Sequence, residues 1–177
     1  MIDVHVDSSA IEDVLSRLGE VVGSAAVLGI AGRAIIDLIG QGFNDGADPW
    51  GQPWKPLSGR SRSGQPLRDT GRLANSIAMQ ISGDTLEVGT NVCYAPVHQF
   101  GAKIIAGPGT GSGMCGYQRK GAKLLAWSAG GAIHYAKQVT IPARPFLPIN
   151  DSGTLPGTWE DQITADIETM IQKATEV

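Results

Sequence analysis

Apolar residues at Ile11, Val14, Leu15, Leu18, Val21, Val22, Ala25 and Leu28, continued by Ala34, Ile35, Leu38 and Ile39, mark one face of a long amphipathic helix that ends near Gln41. Ser9 with Glu12 three residues later has the form of a capping box at its start. Gly19, Gly23, Gly29 and Gly32 each cost such a helix ~1 kcal/mol relative to Ala, and their small size permits close packing on another helix or subunit. A second stripe, Trp159, Ile163, Ile167, Met170 and Ile171, predicts a C-terminal helix over 157–175. A helix with one apolar stripe must bury it against another layer, and the remaining periodicity is that of strands.

Ile2, Val4 and Val6 alternate as in a half-buried edge strand. Ala78 to Ile81 and Leu86 to Val88, broken by Ser82-Gly83-Asp84, read as a β-hairpin. Asp69 or Thr70 caps a short helix through Arg72, Leu73, Ser76 and Ile77, and Tyr94 to Phe100 reads as another. Lys103 to Ala106, Lys123 to Trp127 and Gln138 to Ile141 read as strands, the last two joined by the small residues from Ser128 to Ile133. These connections are too short for helical crossovers, so the sheet is mainly antiparallel. The fold class is α+β: a long N-terminal and a C-terminal helix on a mainly antiparallel sheet, with a long central loop (44–68) and an extended β-hairpin (102–140).

The chain has 177 residues, which suits a single domain spanning 1–177, since single cores usually run ~100–200 residues. Hydrophobic residues make up 42% and charged residues 18%, enough to bury a core and too apolar for general disorder. The 24 Gly and 10 Pro call for long loops. Two cysteines allow at most one bridge, so a reducing compartment is expected. The N-terminus lacks a basic region followed by an apolar run, and uninterrupted apolar segments fall short of ~18 residues, so neither export nor a membrane span is expected.

Charge is segregated along the chain. Residues 1–54 carry a net charge of −6, residues 55–144 of +8 and residues 145–177 of −5, for a total of −3. A basic centre between acidic ends binds an anionic partner, or pairs with its own ends or with a neighbouring copy. The negative total argues against a dedicated DNA binder.

Motifs for chemistry fail on context. Gly111-Ser112-Gly113-Met114-Cys115-Gly116 matches the dinucleotide-binding glycine pattern, but no Asp or Glu occurs between Glu87 and Asp151 and no helix signal follows. Cys93, His98, Cys115 and His134 are zinc-type donors without a C-x2-C or H-x3-H pair. Cys93 with His98 is a nucleophile and base pair only if a carboxylate joins it; the simpler reading is two ordinary thiols. Lys55, Arg60, Arg62, Arg68 and Arg72 with Trp50 and Trp54 form a basic, aromatic loop, either a nucleic-acid-binding module or a contact for acidic groups of a neighbouring subunit, the reading preferred. No catalytic residue, metal or cofactor is expected.

Four blocks occur in order: Leu67-Arg68-Asp69-Thr70-Gly71-Arg72-Leu73-Ala74-Asn75-Ser76-Ile77; Val88-Gly89-Thr90-Asn91; Tyr94-Ala95-Pro96-Val97-His98-Gln99-Phe100-Gly101; and Ile141-Pro142-Ala143-Arg144-Pro145-Phe146-Leu147. Together they resemble the phage virion morphogenesis family. The resemblance implies a structural protein of the tail completion or tail terminator type, without enzyme activity. It implies a homo-oligomeric ring, commonly of six copies, at the head-proximal end of the tail or in the neck, joining tail to head. The partners implied are the tail tube protein and a head–tail connector or neck protein, with DNA only passing through and no membrane. Its location would be the virion neck or tail end, and the host cytoplasm during assembly. The alternatives are a head-side neck adaptor and the nucleic-acid module.

On this reading the block residues are scaffold. Gly71, Gly89 and Gly101 serve turns and strand ends; Tyr94, His98 and Phe100 pack the short helix onto the sheet, with His98 hydrogen-bonded. Pro142 and Pro145 stiffen the exit from the last strand, Phe146 anchors it, and Arg144 makes a fork-like salt bridge. Trp50, Trp54, Arg60, Arg62, Arg68 and Arg72 are the candidate interface.

Overall fold

The computed structural model describes residues 24–57, 64–106, 123–129, 131–150 and 152–175. The expected N-terminal strand and capping box, Arg60, Arg62 and the glycine-rich stretch 107–121 lie outside the described residues. The described elements in chain order are α1 (Ser24–Asp45), a 3-10 turn (Ala74–Ser76), β1 (Ile77–Ser82), β2 (Thr85–Thr90), α2 (Ala95–Phe100), β3 (Ala102–Ile105), β4 (Leu125–Ala129), β5 (Ala132–Ala136), β6 (Gln138–Ile141) and α3 (Gly157–Thr175). The architecture is α+β. In place of one sheet the described residues form three two-stranded antiparallel ladders, β1–β2, β3–β6 and β4–β5.

The core lies between the two long helices and the first hairpin. Val27, Ala31, Ile35, Ile39 and Phe43 recur every fourth residue along α1 and are all buried, the row that meets a neighbouring layer. Trp159, Ile163 and Ile167 repeat the pattern on α3, which packs against α1. On another side α1 lies on β1–β2 at Gly32, where a Cβ would stand 2.9 Å from Leu86 Cδ1 and collide with Met79 Sδ. This glycine therefore permits close approach to the chain's own hairpin, not to another helix. By length and composition Ala25–Asp45 also passes as a membrane-crossing helix, with a mean hydropathy of 1.4, but here its apolar face is spent on the core.

α1 runs past Gln41 to Asp45, where Phe43 adds one more core contact, and its end combines a local turn with a side chain remote in sequence. Ala47 N–H donates to Gly42 O at 3.1 Å, the six-residue closure of a Schellman-type end, with Gly46 at φ 69°. Gln65 Nε2 donates to the next two helix carbonyls, Phe43 O and Asn44 O, each at 2.9 Å. These acceptors would otherwise lack helical partners.

The predicted hairpin forms with Ile77 opposite Thr90 and Ser82 opposite Thr85. The short helix expected over 72–77 is a single 3-10 turn with Leu73 in the capping position and no side-chain cap, since Ile77 already pairs in β1. Thr70 Oγ1 accepts from Arg72 N–H at 3.3 Å, closing a local turn that does not develop into α-helix. Gly89 sits inside β2 opposite Ala78, not at a special turn.

Gln138–Ile141 is a strand as expected, and the strand expected over Lys123 to Trp127 lies two residues later, at Leu125–Ala129, but the two do not pair with each other. A further strand, β5, lies where a small-residue connection was expected and zips onto β4, while β6 pairs with β3. Among the described residues, no hydrophobic side chain of these two ladders belongs to the core cluster or packs against it. They form an arm beside the core.

Candidate functional site

The third and fourth sequence blocks meet where the end of α1, the central loop, α2 and the segment after β6 come together. Three aromatic rings mark the junction. Phe43 packs edge-on against Trp54 with centroids 5.4 Å apart, and in a tilted arrangement against Phe146 at 5.5 Å. All three are buried, and Trp54 Nε1–H donates to Pro145 O at 2.7 Å. Trp54 was expected at an interface with other copies, yet its ring fills the chain's own core. Trp50 differs: it is 40% exposed, on a turn where Asp48 Oδ1 accepts from the N–H groups of Trp50 and Gln52.

Gln99 is the polar centre of the junction. α2 begins with Pro96 in its first turn, where the missing N–H costs nothing, and its positions 95 and 99 face inward. Ala95 is fully buried and Gln99 is 2% exposed. Gln99 Oε1 accepts from Phe146 N–H at 2.9 Å and Leu147 N–H at 3.0 Å, and its Nε2 donates to Leu147 O at 3.0 Å. Phe100 points the other way and is 61% exposed, contrary to the packing role expected of it. The helix stops at Gly101, whose φ of 73° and whose missing Cβ, 2.8 Å from Ala143 N if present, make a side chain unacceptable on both counts.

Arg144 secures the loop. Its guanidinium donates from Nε to Lys55 O at 2.8 Å and from Nη2 to Pro56 O at 3.2 Å, and its own N–H donates to His98 O at 2.7 Å. The fork expected to grip a carboxylate grips two loop carbonyls. Burial lowers the Arg144 pKa from its ordinary value, but a guanidinium remains charged in proteins. His98 packs edge-on against Tyr94 at 5.7 Å. Its Nδ1 is buried without a hydrogen-bond partner, unlike the satisfied histidine expected. Burial first, and the Arg144 charge second, hold its pKa below 6.5.

A smaller hydroxyl pair fixes the first two blocks to each other. Ser76 Oγ donates to Leu73 O at 2.7 Å and lies 2.6 Å from Thr90 Oγ1, which accepts from Val92 N–H at 3.1 Å. With the Ser76 proton on Leu73 O, the Thr90 proton goes to Ser76. Asp69 and Thr70 are exposed and Gly71 is half-buried, and Pro142 and Ala143 lead from Ile141 at the end of β6 into the junction.

Chemically the junction is a fastening. Trp54, Gln99 and Arg144 are committed to backbone groups, and among the described residues there is no cluster that would hold a metal ion. Cys93 is not free, unlike the ordinary thiol expected at that position, so it is unavailable as a nucleophile for His98. The basic loop loses its second stacking ring to the core, which weakens the nucleic-acid reading; Arg72 is exposed and Arg68 Nη1 donates to Asn44 Oδ1 at 2.9 Å. Sequence reasoning missed Gln65, whose only signal is an isolated amide in a loop. It also missed β5, for which Gly130-Gly131 before an alternating Ile133-His134-Tyr135 was the available sign.

The sequence matches the phage virion morphogenesis family over residues 6–164, a span that contains every element of the junction. The chain belongs to this family. It is similar to the Mu-like prophage FluMu G protein 2 of Haemophilus influenzae, at 33% identity over 150 residues that cover 83% of each chain. No solved structure matches it. The chain is therefore a structural phage protein of the tail completion and morphogenesis type, not an enzyme, and belongs in the context of the virion.

Proposed function

We propose that the chain acts as a single domain that completes the phage tail, assembling as a ring of six copies at its head-proximal end and joining it to the head. One side of the ring meets the tail tube protein, the other a head–tail connector or neck protein, and DNA only passes through. Assembly takes place in the host cytoplasm, and the mature location is the neck. The observation that carries this reading is the family match, which extends over residues 6–164. The structure is compatible with it: the block residues lock a loop and an arm to a helical core, and exposed side chains such as Trp50, Phe100 and Arg72 are left for contacts.

Light scattering across a concentration series, with and without purified tail tubes, tests the proposal. A discrete ring, or a monomer that becomes a ring on the tube end, is the expected result. A persistent monomer indifferent to tubes overturns tail completion. If that monomer binds connectors instead, the head-side adaptor takes its place.

A further inference from the structure

The β4–β5 ladder presents large apolar side chains to solvent. Trp127 is 36% exposed, Ile133 64% and Tyr135 64%, and none of them touches the core cluster. The Trp127 ring stacks on His134 at 5.6 Å, so one face of the hairpin is partly self-covered, while Ile133 and Tyr135 occupy the other. An isolated two-stranded hairpin is marginal in water, and exposed apolar residues grouped on one small element mark a contact surface.

Charge indicates the occupant. Residues 88–150 contain no Asp or Glu, and the described lysines of the arm, Lys103, Lys123 and Lys137, are all exposed. The arm is uniformly positive. Opposite in sign, α3 turns its apolar stripe to α1 and exposes Asp161 and Glu168 on its outer side, with Glu160 exposed at the edge of the stripe in the first turn. Within one chain the hairpin has no extensive packing on α3, so the two surfaces are not used up on each other.

We propose that the β4–β5 hairpin of one copy docks on the outer side of α3 of the next copy. Lys123 and Lys137 face the carboxylates there, and Ile133 and Tyr135 are covered by the neighbour. Donor and acceptor are different patches, so the contact is heterologous and runs head to tail, as a ring requires. Exposed ion pairs contribute little each; they set register and exclude wrong partners, while apolar burial supplies most of the affinity. The inference rests on the proposed ring and names the surfaces that build it.

The test uses full-length protein in sedimentation velocity, with tail tubes added where wild type assembles only on them. Three variants are compared: Lys123→Glu with Lys137→Glu; Glu160→Lys with Asp161→Lys and Glu168→Lys; and all five changes together. Each reversed set is expected to weaken assembly by about ten-fold or more, because like charges then face each other, and the combined variant is expected to recover most of it. Circular dichroism and melting check folding, and Ile133→Asp provides an apolar arm independent of charge. Wild-type rings with both reversed sets assembling normally overturn this contact and leave the ring intact. Wild type that never assembles overturns the ring and the contact together. Reversed variants that keep the ring but lose the tube assign the hairpin to the tube, which also overturns the contact.

Discussion

Gln99 holds Leu147 as a neighbouring strand would, accepting from its N–H and donating to its carbonyl, both at 3.0 Å. The same Oε1 also takes Phe146 N–H. A buried side-chain amide thus satisfies three backbone groups that no water reaches. Gln99→Met keeps the volume and the apolar stem but orphans all three, at about 1–3 kcal/mol for each buried group. The expected outcome is a loss of at least ~2 kcal/mol in denaturant unfolding, with the slope unchanged. An unaltered midpoint would show that these groups find other partners.

Arg144 ties Lys55 and Pro56 to the junction through two charge-assisted hydrogen bonds. Arg144→Lys keeps the charge but replaces a planar fork by one compact ammonium, which cannot hold the same two carbonyls in the same way. Hydrogen exchange is expected to accelerate over residues 51–57 in this variant, while the buried amides of α1 keep their protection. Exchange unchanged in the loop would mean that Trp54 alone anchors it.

His98 should impart a pH dependence. Its pKa in the folded protein is lowered from 6.5, by burial first and by Arg144 second. The unfolded chain therefore binds the proton more readily than the native one, and stability falls as pH drops through the unfolded value of 6.5. The loss continues until the pH reaches the lowered folded value, then levels off. Above pH 7 the term is fully present as stability. His98→Phe keeps an edge contact with Tyr94 and removes the titration. Urea midpoints measured from pH 8 to pH 5 should fall more steeply for wild type than for the variant, and parallel curves would refute this origin.

What was legible in the sequence followed from local rules. Four-residue spacing of Trp159, Ile163 and Ile167 located α3, and Gly83-Asp84 between two alternating runs located the first hairpin. Gln138 to Ile141 was bounded correctly because a proline follows it. The misses are relations that periodicity does not carry. Which loop tryptophan is buried depends on a carbonyl 91 residues away. The cap on α1 comes from Gln65, 22 residues from Phe43. Arg144 lies in a stretch without carboxylates, yet residue type alone favoured a salt bridge over carbonyls. β5 was lost because its two alternating large residues stand among glycines and alanines that read as a connection.

The glycines of α1 separate into two kinds that a propensity scale treats alike. Gly40 has no atom within 4 Å of where a Cβ would stand, whereas at Gly32 the space is already taken by Leu86 and Met79 of the hairpin. Gly40→Ala should therefore stabilise the protein by up to ~1 kcal/mol, the ordinary helical gain. Gly32→Val meets the hairpin with three added carbons, and overpacking of this kind costs ~1–3 kcal/mol. That exceeds the propensity gain, so the expected sign is opposite at the two positions. Thermal unfolding of the two single variants decides it. A rise in Tm for Gly32→Val would mean that β1–β2 moves off α1 at little cost, and that the contact at Gly32 is not what sets the distance between helix and hairpin.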